Sequence, residues 1–402
     1  MKMSQLKSLF YPFSFILTGV LVKIYVRREL LMDILDLNEH FQDSMSSDYS
    51  VQLEEILEEF KRGHYPNVLS KSAELRSEKN PDQELTDKLK MVEAICHSEI
   101  GEVKASQAII SELFQDSNLE WMLLGELAFM CDFKLARRIL SAAVKEMEEN
   151  DETDRIKLAR GYLVLAEAEE NLEKYVRAIK YFKKGLTYFQ EDESPDQYMI
   201  LYLHFKIGMM YSMKNEADES MQYLSKVIDM AGDSNSDLKI NSLVTIAKTF
   251  GSKNENEKAF PYLQEALDLL KGSSLENQMT HAEALTEMAF YYFDQSKLSE
   301  AVPYYQKAID IYKRLPQTSH RKLGMIYMQY AYCLEHKEEQ NIRKAANSYE
   351  NAIERLELTK DGELLENALA DVIAFFDNTD NQKKKRVYEN KFVKMTNAKR
   401  SS

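Results

Sequence analysis

The sequence predicts an all-α chain, a right-handed α-solenoid of antiparallel helix pairs, and three observations carry that prediction. Helix formers dominate its 402 residues while Gly (12) and Pro (7) are scarce, which favours helices joined by short turns over sheet. One pattern then occurs three times in succession: Ile207-Gly208-x-x-Tyr211 with Ser220-x-x-x-Leu224-x-x-Val227-Ile228, Ile246-Ala247-x-x-Phe250 with Ala259-x-x-x-Leu263-x-x-Ala266-Leu267, and Met288-Ala289-x-x-Tyr292 with Ala301-x-x-x-Tyr305-x-x-Ala308-Ile309. Finally, small residues recur at positions 105, 136, 178, 220, 259, 301 and 345, the last five intervals being 42, 42, 39, 42 and 44 residues. Self-similarity at such a period marks stacked two-helix units, none of which can bury its apolar face alone.

The spacing has a physical cause. A small residue on the first helix of each pair (Gly208, Ala247, Ala289) and another on the second (Ser220, Ala259, Ala301) let the two backbones approach closely. Large apolar residues at i, i+3 and i+4 fill the remaining volume, the signature of one buried helical face. This pattern resembles the tetratricopeptide repeat, with a helix A, a short polar turn and a helix B. The resemblance implies the solenoid fold and does not fix a function.

In chain order, residues 1–31 form an apolar leader. Its uninterrupted apolar run, Leu9 to Val22, is 14 residues long, short of the roughly 20 that cross a bilayer, and it has no A-x-A-like cleavage site. One reading is an uncleaved membrane anchor. The preferred reading is that translation starts at Met32, because Arg27-Arg28-Glu29 can be encoded as AGA-AGG-GAG, a ribosome-binding sequence, with Leu30-Leu31 as spacer.

Residues 32–116 read as degenerate N-terminal hairpins: a helix over 51–60, the turn Arg62-Gly63-His64-Tyr65, and helices over 66–76, 82–99 and 103–114. The array proper spans 117–358. Its first unit, with Trp121, Leu124-Gly125, Phe133, Ala136 and Leu140, has its helix-to-helix interval shortened by one residue, so the single Trp is expected to pack between helices. The next, with Tyr162, Leu165-Ala166, Tyr175, Ala178 and Phe182, is unshortened, and the last, with Tyr330-Ala331, Ala345, Tyr349 and Ala352-Ile353, carries about two inserted residues in its turn. Residues 359–402 read as capping helices with a basic tail, where Lys383-Lys384-Lys385-Arg386 either touches a partner or offsets an acidic body.

Units this long resemble those of the peptide-sensing regulators of Gram-positive bacteria, the Rap and NprR type. That resemblance implies a concave groove holding a short peptide, formed by helix A positions that each hairpin's own core leaves free. Counting two before and one after the Gly/Ala position gives Lys206 and Met209, Thr245 and Lys248, Glu287 and Phe290, and Gln329 and Tyr332; Phe205, Asn241, Phe293 and Met328 lie on or near the same stripe. Amides there could satisfy a peptide backbone while rings take its side chains. The same spacing also fits packing of Phe290, Phe293 and Met209 against the next helix A. Glu287 and Glu167 stand on this stripe in place of the Lys/Asn set of a chaperone-tail clamp.

With 52 Lys+Arg against 66 Asp+Glu, the net charge of −14 argues against direct nucleic-acid binding. The acidic run from Glu146 to Glu152 reads as a solvated turn. Cys96, Cys131 and Cys333 lie far apart in apolar helical patterns, as small buried hydrophobes of a reducing compartment do. No phosphate-cradling Gly loop, paired-His zinc helix, phosphatase insertion motif or DNA-binding helix-turn-helix stands in the sequence, so neither catalysis nor a metal or cofactor is expected. The expectation is a cytoplasmic protein that binds a peptide or protein segment and regulates a partner by contact. A constitutive scaffold is the plainer alternative. A membrane-associated assembly factor is a third, and a membrane enters only if residues 1–31 are genuine.

Overall fold

The computed structural model describes residues 49–79, 81–150, 154–232, 236–316 and 318–401. Both the 1–31 leader and the Met32 start lie outside them. Eighteen helices and no strand are present among the described residues, as the sequence predicts for an all-α solenoid. None of these helices is long and apolar enough to cross a membrane.

The chain divides into two compact units, at Lys214/Asn215. The first contains α1 (Ser50–Lys61), α2 (Tyr65–Lys79), α3 (Gln83–Glu99), α4 (Val103–Asp116), α5 (Trp121–Cys131), α6 (Phe133–Glu149), α7 (Arg155–Asn171), α8 (Tyr175–Gln190) and α9 (Gln197–Met213). The second contains α10 (Ala217–Met230), α11 (Ser236–Ser252), α12 (Asn256–Leu270), α13 (Met279–Asp294), α14 (Leu298–Tyr312), α15 (His320–His336), α16 (Ile342–Glu357), α17 (Gly362–Asn378) and α18 (Gln382–Ser401). Within each unit every helix packs on the next, and alternate helices also meet: α3 with α5 and α5 with α7 in one, α11 with α13 in the other. That is how stacked hairpins touch.

The small residues sit where the helices close up. Ala136, Ala178, Ser220, Ala301 and Ala345 are all fully buried, and so are Ala289 and Ala331 on the facing helices. A Cβ added at Gly125 would fall 2.5 Å from Leu140 Cδ2, and one at Gly324 would fall 2.7 Å from Leu356, so hydrogen is the largest substituent either site holds as built. Trp121 lies edge-on to Phe114 with ring centroids 5.3 Å apart, between α4 and α5.

Both ends of the helices are specified locally. Asp82, Asp154, Asp196, Ser319 and Asp361 accept hydrogen bonds from backbone N–H groups of the first turns of α3, α7, α9, α15 and α17, which satisfies donors that a helix start leaves orphaned. At the turns between paired helices one residue takes positive φ: Gly63, Gly101, Glu173, Asn254, Ser296 and Asp380. The next amide then reaches back five residues, as from Lys174 to the Glu169 carbonyl (2.8 Å) and from Lys297 to that of Tyr292 (2.9 Å), the Schellman arrangement that ends a helix and reverses the chain. The α5–α6 and α15–α16 turns depart from this, the first reduced to Asp132 and the second drawn out over residues 337–341. Those are the two units whose sequences carry the shortened and lengthened intervals.

The terminal helix docks by charge as well as by packing. Lys384 pairs with Glu350 (2.7 Å) and Lys391 with Glu357 (2.7 Å) on α16, while Lys385 pairs with Asp377 (2.8 Å) on α17. Phe376 and Tyr388 stack between α17 and α18 with centroids 5.5 Å apart. Much of the basic tail therefore offsets carboxylates of the preceding helices.

Candidate functional site

The predicted groove residues of the first unit are all on α9, and all are buried: Phe205 at 0%, Lys206 at 3% and Met209 at 2% exposure. The Lys206 ammonium pairs with Glu170 of α7 and lies 5.4 Å from the centre of the Phe182 ring. Beside it the Tyr202 hydroxyl donates to Glu167 at 2.6 Å. An ammonium taken out of water needs such partners, and here the carboxylate comes from the preceding helix A and the ring from the helix B paired with it.

In the second unit the corresponding helix A positions lie along α11, α13 and α15. Asn241 is half-buried; its amide donates to the Asp237 carbonyl (2.8 Å) and its Oδ1 accepts from the Thr280 hydroxyl (2.8 Å). The hydroxyl of Thr245 donates to the Asn241 carbonyl at 2.7 Å, and Gln329 accepts from Tyr305 at 3.1 Å. Phe290 and Phe293 stack with centroids 6.2 Å apart, and Phe293 meets Tyr332 edge-on at 5.7 Å. With Glu287 and Met328 also buried, ten of the twelve predicted positions are closed off, Asn241 and Tyr332 being the half-buried exceptions. Within each unit these residues are held by contacts along their own helix, with the paired helix B, or with a neighbouring helix A.

Lys248 belongs to a cluster that sequence reasoning missed. Its ammonium lies 3.1 Å from Glu283 of α13, and the other Glu283 oxygen takes Lys322 of α15 at 2.8 Å. The Glu283 side chain is 0% exposed and that of Lys248 1%. Burial pushes the Glu283 carboxyl up, but the two lysines outweigh burial and hold it below its ordinary range. For Lys248 burial wins, and its pKa is lowered. Lys322 also loses hydration, yet Glu283 and the Tyr312 ring 5.3 Å away hold it above the ordinary lysine range. A usable signal exists in the spacing: Tyr202–Glu167, Lys248–Glu283, Lys322–Glu283, Thr280–Asn241 and Arg321–Asp361 are separated by 35, 35, 39, 39 and 40 residues, about one repeat each.

An open cavity of about 140 Å³ lies at the far end of this stripe. Met328, Tyr332, Glu335 and His336 of α15 form one wall, Tyr349 of α16 the floor, and Asp371, Phe375 and Asn378 of α17 the other wall. The Tyr349 hydroxyl donates to Glu335 Oε2 at 2.8 Å, and burial together with that carboxylate pushes its pKa well up. The His336 ring stacks on Tyr332 at 4.1 Å, and its Nδ1–H donates to the Tyr332 carbonyl at 3.0 Å. Met328 and Tyr332 are the two predicted groove residues that reach this space. No group of three or more His, Cys, Asp or Glu among the described residues is arranged to hold a metal ion.

Residues 281–320, the heart of α13 and α14, match the family model for the tetratricopeptide repeat. The chain contains a tetratricopeptide repeat. Its fold is that of the Rap and NprR regulators: the apo form of RapI is matched at a TM-score of 0.56 with 16% identity over 89% of this chain and 99% of that one. The apo form of the quorum sensor NprR from B. thuringiensis is matched at 0.53 with 17% identity over 87% and 99%. A third match, to a signal-transduction ATPase from Pyrococcus horikoshii with a tetratricopeptide repeat sensor, has a TM-score of 0.50 and 15% identity over 82% of this chain and 52% of that one. No curated protein sequence matches the chain. At such identities the likeness establishes the tetratricopeptide-type solenoid and leaves the ligand to be argued from this chain's own residues.

Proposed function

We propose that this chain is a cytoplasmic tetratricopeptide-repeat regulator that binds a short peptide or protein segment on its helix A face and acts on a partner by contact. The observation that carries the reading is the cavity between α15, α16 and α17, an opening on the helix A face where Tyr332, Tyr349 and Phe375 stand beside the polar groups of Glu335, His336 and Asn378, so that rings and hydrogen-bonding groups converge on one space. Its size suits one anchoring side chain, since a cavity of about 150 Å³ accepts benzene. The fold shared with RapI and NprR supports the same reading.

A constitutive scaffold is the second reading. The closure of most stripe residues against neighbouring helices favours it, because a rigid frame needs no ligand to order it. An anchored assembly factor would depend on residues 1–31.

Selection of a random pentapeptide library against the full chain separates the readings. The regulator reading expects a pentapeptide of micromolar affinity whose binding is abolished by Ala374→Trp, which fills the cavity mouth from an exposed position and leaves the fold intact. It also expects bound peptide to change amide-exchange protection beyond α15–α17. Absence of any binding pentapeptide, or binding indifferent to Ala374→Trp, overturns the assignment of this cavity.

A further inference from the structure

We infer that the connection between α12 and α13 is a pH-sensitive latch, closed on the neutral ring of His281 and opened when that ring takes a proton. The connection runs over residues 271–278 and is pinned at three points. Leu275 is buried among Ile240 and Leu243 of α11 and Leu270 of α12. The Ser274 hydroxyl donates to the Asp237 carboxylate of α11 at 2.7 Å. The backbone N–H of Asn277 donates to His281 Nδ1, in the first turn of α13, at 3.0 Å.

The third point is the one a proton removes. An imidazole nitrogen accepts only while its lone pair is free, so this contact fixes the neutral tautomer with its hydrogen on Nε2. Protonation places a hydrogen on Nδ1, facing the amide hydrogen of Asn277, and turns attraction into repulsion. Asn277 also holds φ at +62°, a left-handed conformation that costs a residue with a side chain, and the lost contact no longer offsets that cost.

The surroundings favour the neutral ring. His281 is 4% exposed, and the first turn of its helix carries roughly half a positive charge on unpaired N–H groups. Burial and Lys307 of α14 disfavour the protonated form while Glu276 of the connection favours it; the first two prevail, so the ring titrates below its ordinary value of 6.5. Other charges on the packed helices are held in pairs of their own, Lys239 of α11 with Glu265 of α12 (2.8 Å) and Glu283 with Lys248 and Lys322. The sign follows. The closed form binds the proton more weakly than an open one, so the latch is fully closed above pH 6.5. It loosens as pH falls toward the lower folded value, by up to about tenfold per pH unit. Release reaches the helix A face, because the Asp237 carboxylate loses Ser274 and the Asn241 amide oxygen loses the Thr280 hydroxyl of the same first turn.

Hydrogen exchange of the full chain tests this, read by mass spectrometry at pH 7 and pH 5 and corrected for the intrinsic pH dependence of amide exchange. In the wild type, protection over 271–278 should fall about tenfold or more between the two conditions while that of α15 holds. His281→Asn, which keeps an uncharged acceptor oxygen near the place of Nδ1, should protect the connection equally at both. His281→Phe keeps a ring without an acceptor and should leave the connection poorly protected at both. The wild type also answers alone: nitrogen NMR should show the His281 ring protonated only on Nε2 at pH 7, and its titration should track the loss of protection. Equal protection at the two pH values in the wild type, a fall of the same size in His281→Asn, or a ring that titrates with no change in protection overturns the latch.

Discussion

Replacing Glu283 with Gln removes one charge, almost no volume, and the carboxylate shared by two lysines. With ammonium groups at 3.1 and 2.8 Å, each attraction is worth about 5–6 kcal/mol at an effective dielectric constant of about 20. Most of that gain offsets the hydration lost by three ions, so the net worth of the cluster is small. Breaking it is another matter. The variant keeps Lys248 and Lys322 buried without the carboxylate they share, Glu287 still acting on Lys248, and the expected loss is about 3–5 kcal/mol. Equilibrium urea unfolding followed by far-UV circular dichroism measures it. Replacing all three together, Lys248→Met, Glu283→Leu and Lys322→Met, should return stability to the wild-type level or raise it by about 1–4 kcal/mol, since a packed apolar core needs no counter-ions. The pH dependence has a definite sign. The folded-state pKa of Glu283 lies below its ordinary value of 4.5, so its contribution is complete above pH 4.5 and is lost as pH falls through the lower folded value. Glu283→Gln should remove that part of the acid sensitivity. A loss under about 1 kcal/mol for the Gln variant, or a triple variant as unstable as the single one, would refute the reasoning.

Three further outcomes are expected. Phe290→Ala should lower stability by about 3–5 kcal/mol, because the ring is 2% exposed and stacked on Phe293, and peptide affinity per folded molecule should not change; a loss of affinity with normal melting would place Phe290 in the groove instead. Gly125→Ala should cost about 1–3 kcal/mol through its clash with Leu140, and calorimetry showing no destabilisation would mean that α5 and α6 adjust freely. Ser296→Gly should stabilise by up to about 1 kcal/mol, since Ser296 holds φ at +61°, where a side chain is strained; a lower unfolding midpoint would contradict this.

The solenoid was legible in the sequence because its cause is local. The Ala and Gly positions and the i, i+3, i+4 apolar rows belong to single hairpins, and the altered turns of α5–α6 and α15–α16 stand in the chain as changed intervals. The candidate site was legible only in part. Lys206, Lys248 and Glu287 look like solvent-facing groups on a helix because their partners are about a repeat away, and one sequence does not print that pairing. Glu283 lies six residues before Ala289, outside the stripe counted for the groove, so its place between two lysines was invisible. Asn241 was read as an amide free for a ligand, whereas Thr280 and Asp237 engage both ends of it. Met328 and Tyr332 face the cavity because α17 stands across from α15, a relation between hairpins that no single-hairpin pattern displays.

The way α18 is fastened makes its docking responsive to salt. Lys384, Lys385 and Lys391 hold it to α16 and α17 partly through half-exposed ion pairs, which dissolved salt screens over about 8 Å at physiological strength. Deeper in the same unit Glu283 holds its lysines out of solvent, beyond the reach of screening. Raising ionic strength should therefore loosen α18 first and leave α11, α13 and α15 joined, giving this unit one salt-sensitive helix and a fixed frame behind it.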